Sequence, residues 1–181
     1  MTVVGLLTDG NAWRAAAVVV QQLSDTSCTL PVVVFNSTPL DAAASEALRS
    51  LGADVVSVSP LMPIPAEFAP HLRGKRLPTY HKLALWAQTA YTRIVYLDND
   101  VVLLDNIDEM GEWPVDTFSP EACGTPDCRS SSGMNAGVMV IRPSAQRFAE
   151  LSSCSLHIKH GILHVSHLKL CHTVLGGTVG P

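Results

Sequence analysis

The sequence predicts an α/β fold built on a mostly parallel sheet, and three observations carry that expectation. Short apolar runs alternate with stretches of helical composition along the first hundred or so residues. Hydrophobic residues make up 47% of the 181-residue chain and charged residues 15%, the balance of a sheet covered on both faces. The run Arg93–Leu104 then places two aspartates, Asp98 and Asp100, just past an apolar strand. Open sheets of this kind collect their ligands beyond the carboxyl ends of the strands.

Each element follows from its residues. Thr2–Leu7 reads as a buried strand, and Asn11–Leu23 as a helix rich in Ala and Val. Leu30–Phe35 is a second strand, with Pro31 inside its start and Asn36-Ser37-Thr38-Pro39 after its end. A helix over about Leu40–Leu51 follows, stopped by Gly52. Asp54–Val58 is a third strand. Residues 59–78 contain Pro60, Pro63, Pro65, Pro70 and Pro78, which leaves little regular structure there. Helix returns from Thr79, its cap, to about Tyr91 and leads into the strand before the aspartates. Asp105–Asp108 forms a short helical turn, and 123–133 is a loop rich in Gly, Pro and Ser. Gly137–Ile141 is another buried strand, stopped by Pro143, with a helix opening at Ser144. No internal repeat is visible.

Composition narrows the function. A net charge of -4 gives no case for nucleic acid or an anionic membrane surface. No apolar run reaches the length of a membrane span, and the start lacks the basic and apolar regions of a signal peptide. The five cysteines are odd in number and scattered, so reduced thiols in the cytoplasm are expected.

Alternate residues of an extended chain point the same way, so Asp98 and Asp100 are expected to aim both carboxylates at one point. Paired like charges call for a cation, and hard oxygen donors at a sheet edge suit Mn²⁺ or Mg²⁺ shared with substrate phosphates. The plain alternative is a solvated turn closing a strand.

Four pieces in order together resemble the glycogenin-like, family 8 glycosyltransferases. They are Leu7-Thr8-Asp9-Gly10-Asn11-Ala12-Trp13, His81-Lys82-Leu83-Ala84-Leu85-Trp86, Arg93–Asp108 and Met134–Ser144. The resemblance covers roughly residues 2–151 and implies a Rossmann-like nucleotide-diphospho-sugar transferase fold, incomplete at the C-terminus. It implies retaining, metal-dependent hexosyl transfer from a UDP-sugar to a glycan, protein or small-molecule acceptor. On this resemblance Asp98 and Asp100 are the ligands of Mn²⁺ (or Mg²⁺), and Lys82 adds positive charge near the phosphates or sugar. Leu7, Thr8 and Trp13 hold the uracil, Asn135 bonds the donor sugar, and Asn99 and Ala136 complete the UDP-sugar site. Arg73, nine residues before Lys82, falls where relatives often place a phosphate-binding arginine. Each role has a structural counterpart: Trp13 as a packing residue, Lys82 on a solvated helix face, and Asn135-Ala136-Gly137 as a turn.

The last thirty residues differ. Residues 152–181 hold no Asp or Glu but five of the seven histidines, so a domain of 1–151 followed by an atypical His-rich tail is expected. His157, His160, His164 and His167 fall at helical spacing, yet with Cys154 and Cys171 they match no established zinc framework. The acidic and histidine motifs of the family's second half are absent, which implies weak or lost transfer. A non-catalytic UDP-sugar-binding remnant or regulatory module is therefore the alternative. An unfinished sheet edge near residue 150 also invites a homodimer. A nucleotidyltransferase fits poorly for want of a Gly-rich basic loop after the first strand. A glycosidase fits poorly because its two carboxylates must flank a sugar rather than point together.

Overall fold

The computed structural model describes residues 1–58, 81–120, 134–156 and 178–179. The elements run β1 (Thr2–Thr8), α1 (Trp13–Asp25), β2 (Val32–Asn36), α2 (Ala42–Ser50), β3 (Ala53–Ser57) and a 3-10 helix, Lys82–Ala87. They continue through β4 (Arg93–Leu97), a second 3-10 helix (Asp108–Glu112), β5 (Thr117–Pro120), β6 (Met134–Ile141), α3 (Ala145–Leu156) and β7 (Thr178–Val179). The last strand and the end of α3 lie beyond the domain boundary expected at residue 151.

Among the described residues the strands form one seven-stranded sheet in the order β3-β2-β1-β4-β6-β5-β7. From β3 to β4 every pair is parallel, with Leu6 of β1 opposite Val34 of β2 and Leu97 of β4. The direction changes at β6, which runs antiparallel to both β4 and β5, while β5 and β7 are parallel. The mostly parallel sheet is as the sequence predicts.

Alternation along the strands feeds two cores. Val4, Leu6 and Leu97 face α1 and α2, where Ala16, Val19, Val20 and Leu23 recur at helical spacing and Leu48 adds to the layer. Val3, Ile94, Tyr96 and Ile141 face the other way, against Trp86 and Leu151. On that second face Gly5 leaves room for its neighbours. A Cβ there would sit 2.6 Å from Ile94 Cγ2 and 3.0 Å from the Phe35 ring.

Local chemistry explains the helix ends. Asp41 Oδ1 accepts the Ala44 amide at 2.7 Å and starts α2. Gly52 ends it at φ +92, with its N–H on Arg49 O at 2.9 Å, the stop read from the sequence. The expected helix from Thr79 to Tyr91 is a correction. Thr79 lies outside the described residues, and after His81 the chain makes only a 3-10 helix ending at Ala87. Leu83, Ala84, Leu85 and Trp86 are consecutive and all buried, a run set by packing rather than by a 3.6-residue stripe. Gln88 completes the departure: its backbone N–H goes to Leu85 O, and its side-chain amide takes Ala84 O at 3.0 Å. The helical turn expected at Asp105–Asp108 forms slightly later, at Asp108–Glu112. β5 is an addition that the sequence reading missed.

Asp108 ties that turn back to the start of β2. Its carboxylate accepts the Cys28 thiol at 3.0 Å, the Thr29 amide at 2.9 Å and the Thr29 hydroxyl at 2.7 Å. These bonds, the thiol's first, hold its carboxyl down at about 2. Burial, with Asp108 beside it, pushes the Cys28 thiol up to about 11. No described helix is long and apolar enough to cross a membrane.

Candidate active site

A cleft of about 430 Å³ opens beyond the carboxyl ends of β1 and β4. Its lining includes Leu7, Thr8, Lys82, Asp98, Asn99 and Asp100, six of the residues the sequence nominated. The pleat ends at Leu97, and the chain then turns through Asn99 and Asp100, closed by Val101 N–H on Asp98 O at 3.4 Å. A turn rather than strand alternation therefore carries the second aspartate to the cleft, which corrects the expected geometry. Asn99 locks the turn by donating its side-chain N–H to Leu7 O at 2.8 Å. Its side-chain oxygen is buried and has no partner among the described residues.

Lys82 reaches from the 3-10 helix to Asp98, with Nζ 2.7 Å from Oδ1 and 2.8 Å from Oδ2. It also donates to Ala136 O at 3.1 Å and lies 5.3 Å from the centre of the Tyr96 ring. The Tyr96 hydroxyl donates to Asp98 Oδ1 at 2.5 Å. Burial first, and then the charge and hydrogen bond of Asp98, push the Tyr96 hydroxyl's pKa well above its ordinary value. The geometry thus gives Asp98 a hydroxyl donor on the same oxygen that Lys82 approaches.

The remaining nominated residues are placed differently. Ala136 contributes its carbonyl through Lys82. Trp13 does not line the cleft; it packs partly against the layer under α1, with the Arg14 guanidinium 4.7 Å above its ring. Asn135 lies in β6, and its side chain is outside the described residues, as is all of Arg73.

Sequence reasoning nominated none of the other six lining residues: Ala12 and Ala15 of the α1 entry, and the polar Asp9, Ser37, His81 and Tyr96. Asp9 Oδ1 accepts the amides of Asn11 and Ala12, both at 2.9 Å, and so shapes the entry to α1. Ser37 bonds Thr8 O through its amide at 2.9 Å and its hydroxyl at 3.1 Å. The signal for Tyr96 was present, since it stands two residues before Asp98 on the same face. Burial holds the His81 imidazole below its ordinary pKa of 6.5, partly offset by the Asp9 charge. The folded state therefore favours the neutral ring. Its contribution to stability is present above pH 6.5 and is lost as pH falls through the lower folded value. Thermal melts from about pH 7.5 to about 5.5 should show a shallower acid loss for His81→Gln than for the unaltered protein. Equal slopes would remove His81 from that account.

Among the described residues, no group of three or more His, Cys, Asp or Glu side chains is placed to hold a metal. The carboxylates of Asp98 and Asp100 both line the cleft.

A mostly parallel sheet with an acidic, lysine-clasped cleft at its carboxyl edge is the Rossmann-like fold of nucleotide-diphospho-sugar transferases. The solved structures bear this out. The apo-form glycosyltransferase GlyE of Streptococcus pneumoniae TIGR4 superposes with a TM-score of 0.70 at 13% identity, covering 100% of this chain and 46% of that one. The galactosyltransferase LgtC superposes at 0.62 with 17% identity, covering 93% of this chain and 70% of that one. The model of glycosyl transferase family 8 matches residues 3–161, and the chain belongs to that family. Mouse (Mus musculus) glycogenin-1 is 29% identical over 150 residues, 80% of this chain and 42% of that protein. The chain thus spans less than half the length of that relative.

Proposed function

We propose that the cleft binds a UDP-sugar together with Mn²⁺ or Mg²⁺, and that its chemistry is hexosyl transfer with retention to a glycan, protein or small-molecule acceptor. One observation carries the reading: Asp98, Asp100 and Lys82 all line one cleft of about 430 Å³ at the carboxyl edge of β1 and β4. That volume suits a nucleotide-sized ligand. The donor set also fits the group, since two hard carboxylate oxygens suit a divalent cation that completes its shell on a diphosphate. Such a cation supplies Lewis-acid stabilisation of charge growing on the departing nucleotide. Family membership supports the reading, as does LgtC, which was solved with donor and acceptor sugar analogs.

The residues of this chain divide the work. Asp98 and Asp100 supply the oxygen ligands, Lys82 supplies positive charge for the phosphates, and Leu7 and Thr8 border the space for the base. Tyr96 and Asn99 hold the carboxylate and the turn in place. Calorimetric titration with UDP, with and without Mn²⁺, tests the site. Metal-dependent binding is the expected result, and its absence in a folded sample would overturn the proposal. Release of hexose from the donor then separates transfer from binding alone.

A further inference from the structure

Asp98 already has partners on both oxygens. Lys82 Nζ lies within 2.8 Å of each, and the Tyr96 hydroxyl holds Oδ1. The pair is poorly solvated, with 13% of the Lys82 side chain and 28% of the Asp98 side chain exposed. An ammonium and a divalent cation compete for one carboxylate, because like charges at that range repel strongly where water is scarce. A displaced Lys82 then needs a new anion. Asp100 also lines the cleft and is the other carboxylate proposed for the cation, whereas a nucleotide diphosphate brings fresh negative charge into the same cleft.

We propose that Lys82 couples the two ligands: it occupies Asp98 in place of the cation until a nucleotide diphosphate draws its ammonium away. The inference rests on the metal-dependent UDP site proposed above. Lys82 is the partner in competition, because its charge repels the cation while the Tyr96 hydroxyl carries none. The coupling is reciprocal, as every binding coupling must be. Cation alone binds weakly, diphosphate alone binds weakly, and each strengthens the other. The free enzyme thereby avoids holding a cation that has no substrate to act on.

Chelation by UDP itself gives some coupling whatever Lys82 does, so the deciding measurement is the cation without nucleotide. Electron paramagnetic resonance of free Mn²⁺ reads that affinity independently of activity. Lys82→Met should bind Mn²⁺ alone roughly tenfold more tightly than the unaltered protein, with a smaller gain on adding UDP. Lys82→Gln keeps a hydrogen-bond donor for Asp98 and Ala136 O, and it serves if the methionine variant fails to fold. It should shift the affinity in the same direction. Unchanged or weaker Mn²⁺ binding by folded neutral variants, with Mn²⁺-dependent UDP binding intact in the unaltered protein, would overturn the coupling and leave the site standing. No Mn²⁺-dependent UDP binding by the unaltered protein would overturn both.

Discussion

Asp100→Asn is expected to leave the fold unaltered and to remove Mn²⁺-dependent UDP binding. Asp100 is exposed and lies in the turn after β4, outside both core layers, so its replacement should change stability by no more than about 0.5 kcal/mol. Its effect on the cation is another matter. Asp98 would then be the one remaining carboxylate ligand, and Lys82 and Tyr96 already hold it. Replacing a group that merely supports a metal ligand costs roughly 10- to 100-fold in affinity, and loss of a ligand should exceed that range. A weakening beyond 100-fold corresponds to about 3 kcal/mol or more of binding free energy. Calorimetry with a thermal melt on the same sample separates the two effects. Retained Mn²⁺-dependent binding would remove Asp100 from the site, whereas a collapsed melt would show that its role is structural.

The largest stability loss is expected from Trp86→Ala. Trp86 is 1% exposed and packs with Phe35, Ile94, Tyr96 and Ile141 on one face of the sheet. Its carbonyl accepts the Ser144 amide at 2.8 Å, which joins the 3-10 helix to the start of α3. Truncating so large a buried side chain costs about 3–5 kcal/mol. The indole N–H has no partner among the described residues. Trp86→Phe therefore removes an unsatisfied donor and keeps most of the packing, and it should cost clearly less than the alanine variant. Denaturant unfolding of both variants checks the ranking. Equal losses would mean that the indole makes a polar contact of its own. The same helix carries Lys82, so the alanine variant should also weaken nucleotide binding while leaving the cleft residues themselves unchanged.

Most of the sheet was legible because its strands are apolar runs ended by recognisable punctuation. Gly52 closed α2 as expected, and β1 to β4 each fall within a residue or two of where the runs place them. β5 escaped notice for a physical reason. Thr117-Phe118-Ser119-Pro120 has a single large apolar residue and a terminal proline, and it pairs with β6 across a bulge after Phe118. Nothing local marks such a strand; its partner makes it. The reverse error occurred at residues 82–87, where a helical composition concealed four consecutive buried residues, Leu83–Trp86.

The site divides along similar lines. Asp98 and Asp100 stood out as charged residues at the end of an apolar strand, and Lys82 through the resemblance of His81–Trp86 to a family motif. Asp9, Ser37 and His81 come from loops and ends whose convergence depends on the crossover topology, which no linear spacing encodes. Tyr96 was hidden differently: it passed as one more apolar residue of β4, and only its hydroxyl on Asp98 separates it from a packing residue.

The place of β1 in the sheet has a consequence for how the protein is made. β1 pairs with β2 on one side and β4 on the other, and Thr2 stands opposite Arg93. A ribosome thus delivers the second neighbour of β1 roughly ninety residues after β1 itself. Until then a β1-β2-β3 intermediate carries a raw apolar edge along Val3, Val4 and Leu6, open to any passing strand. The stretch between synthesis of residue 58 and residue 97 is therefore one interval in which a nascent chain exposes an unpaired apolar edge. Fragments ending within it are poor candidates for soluble expression.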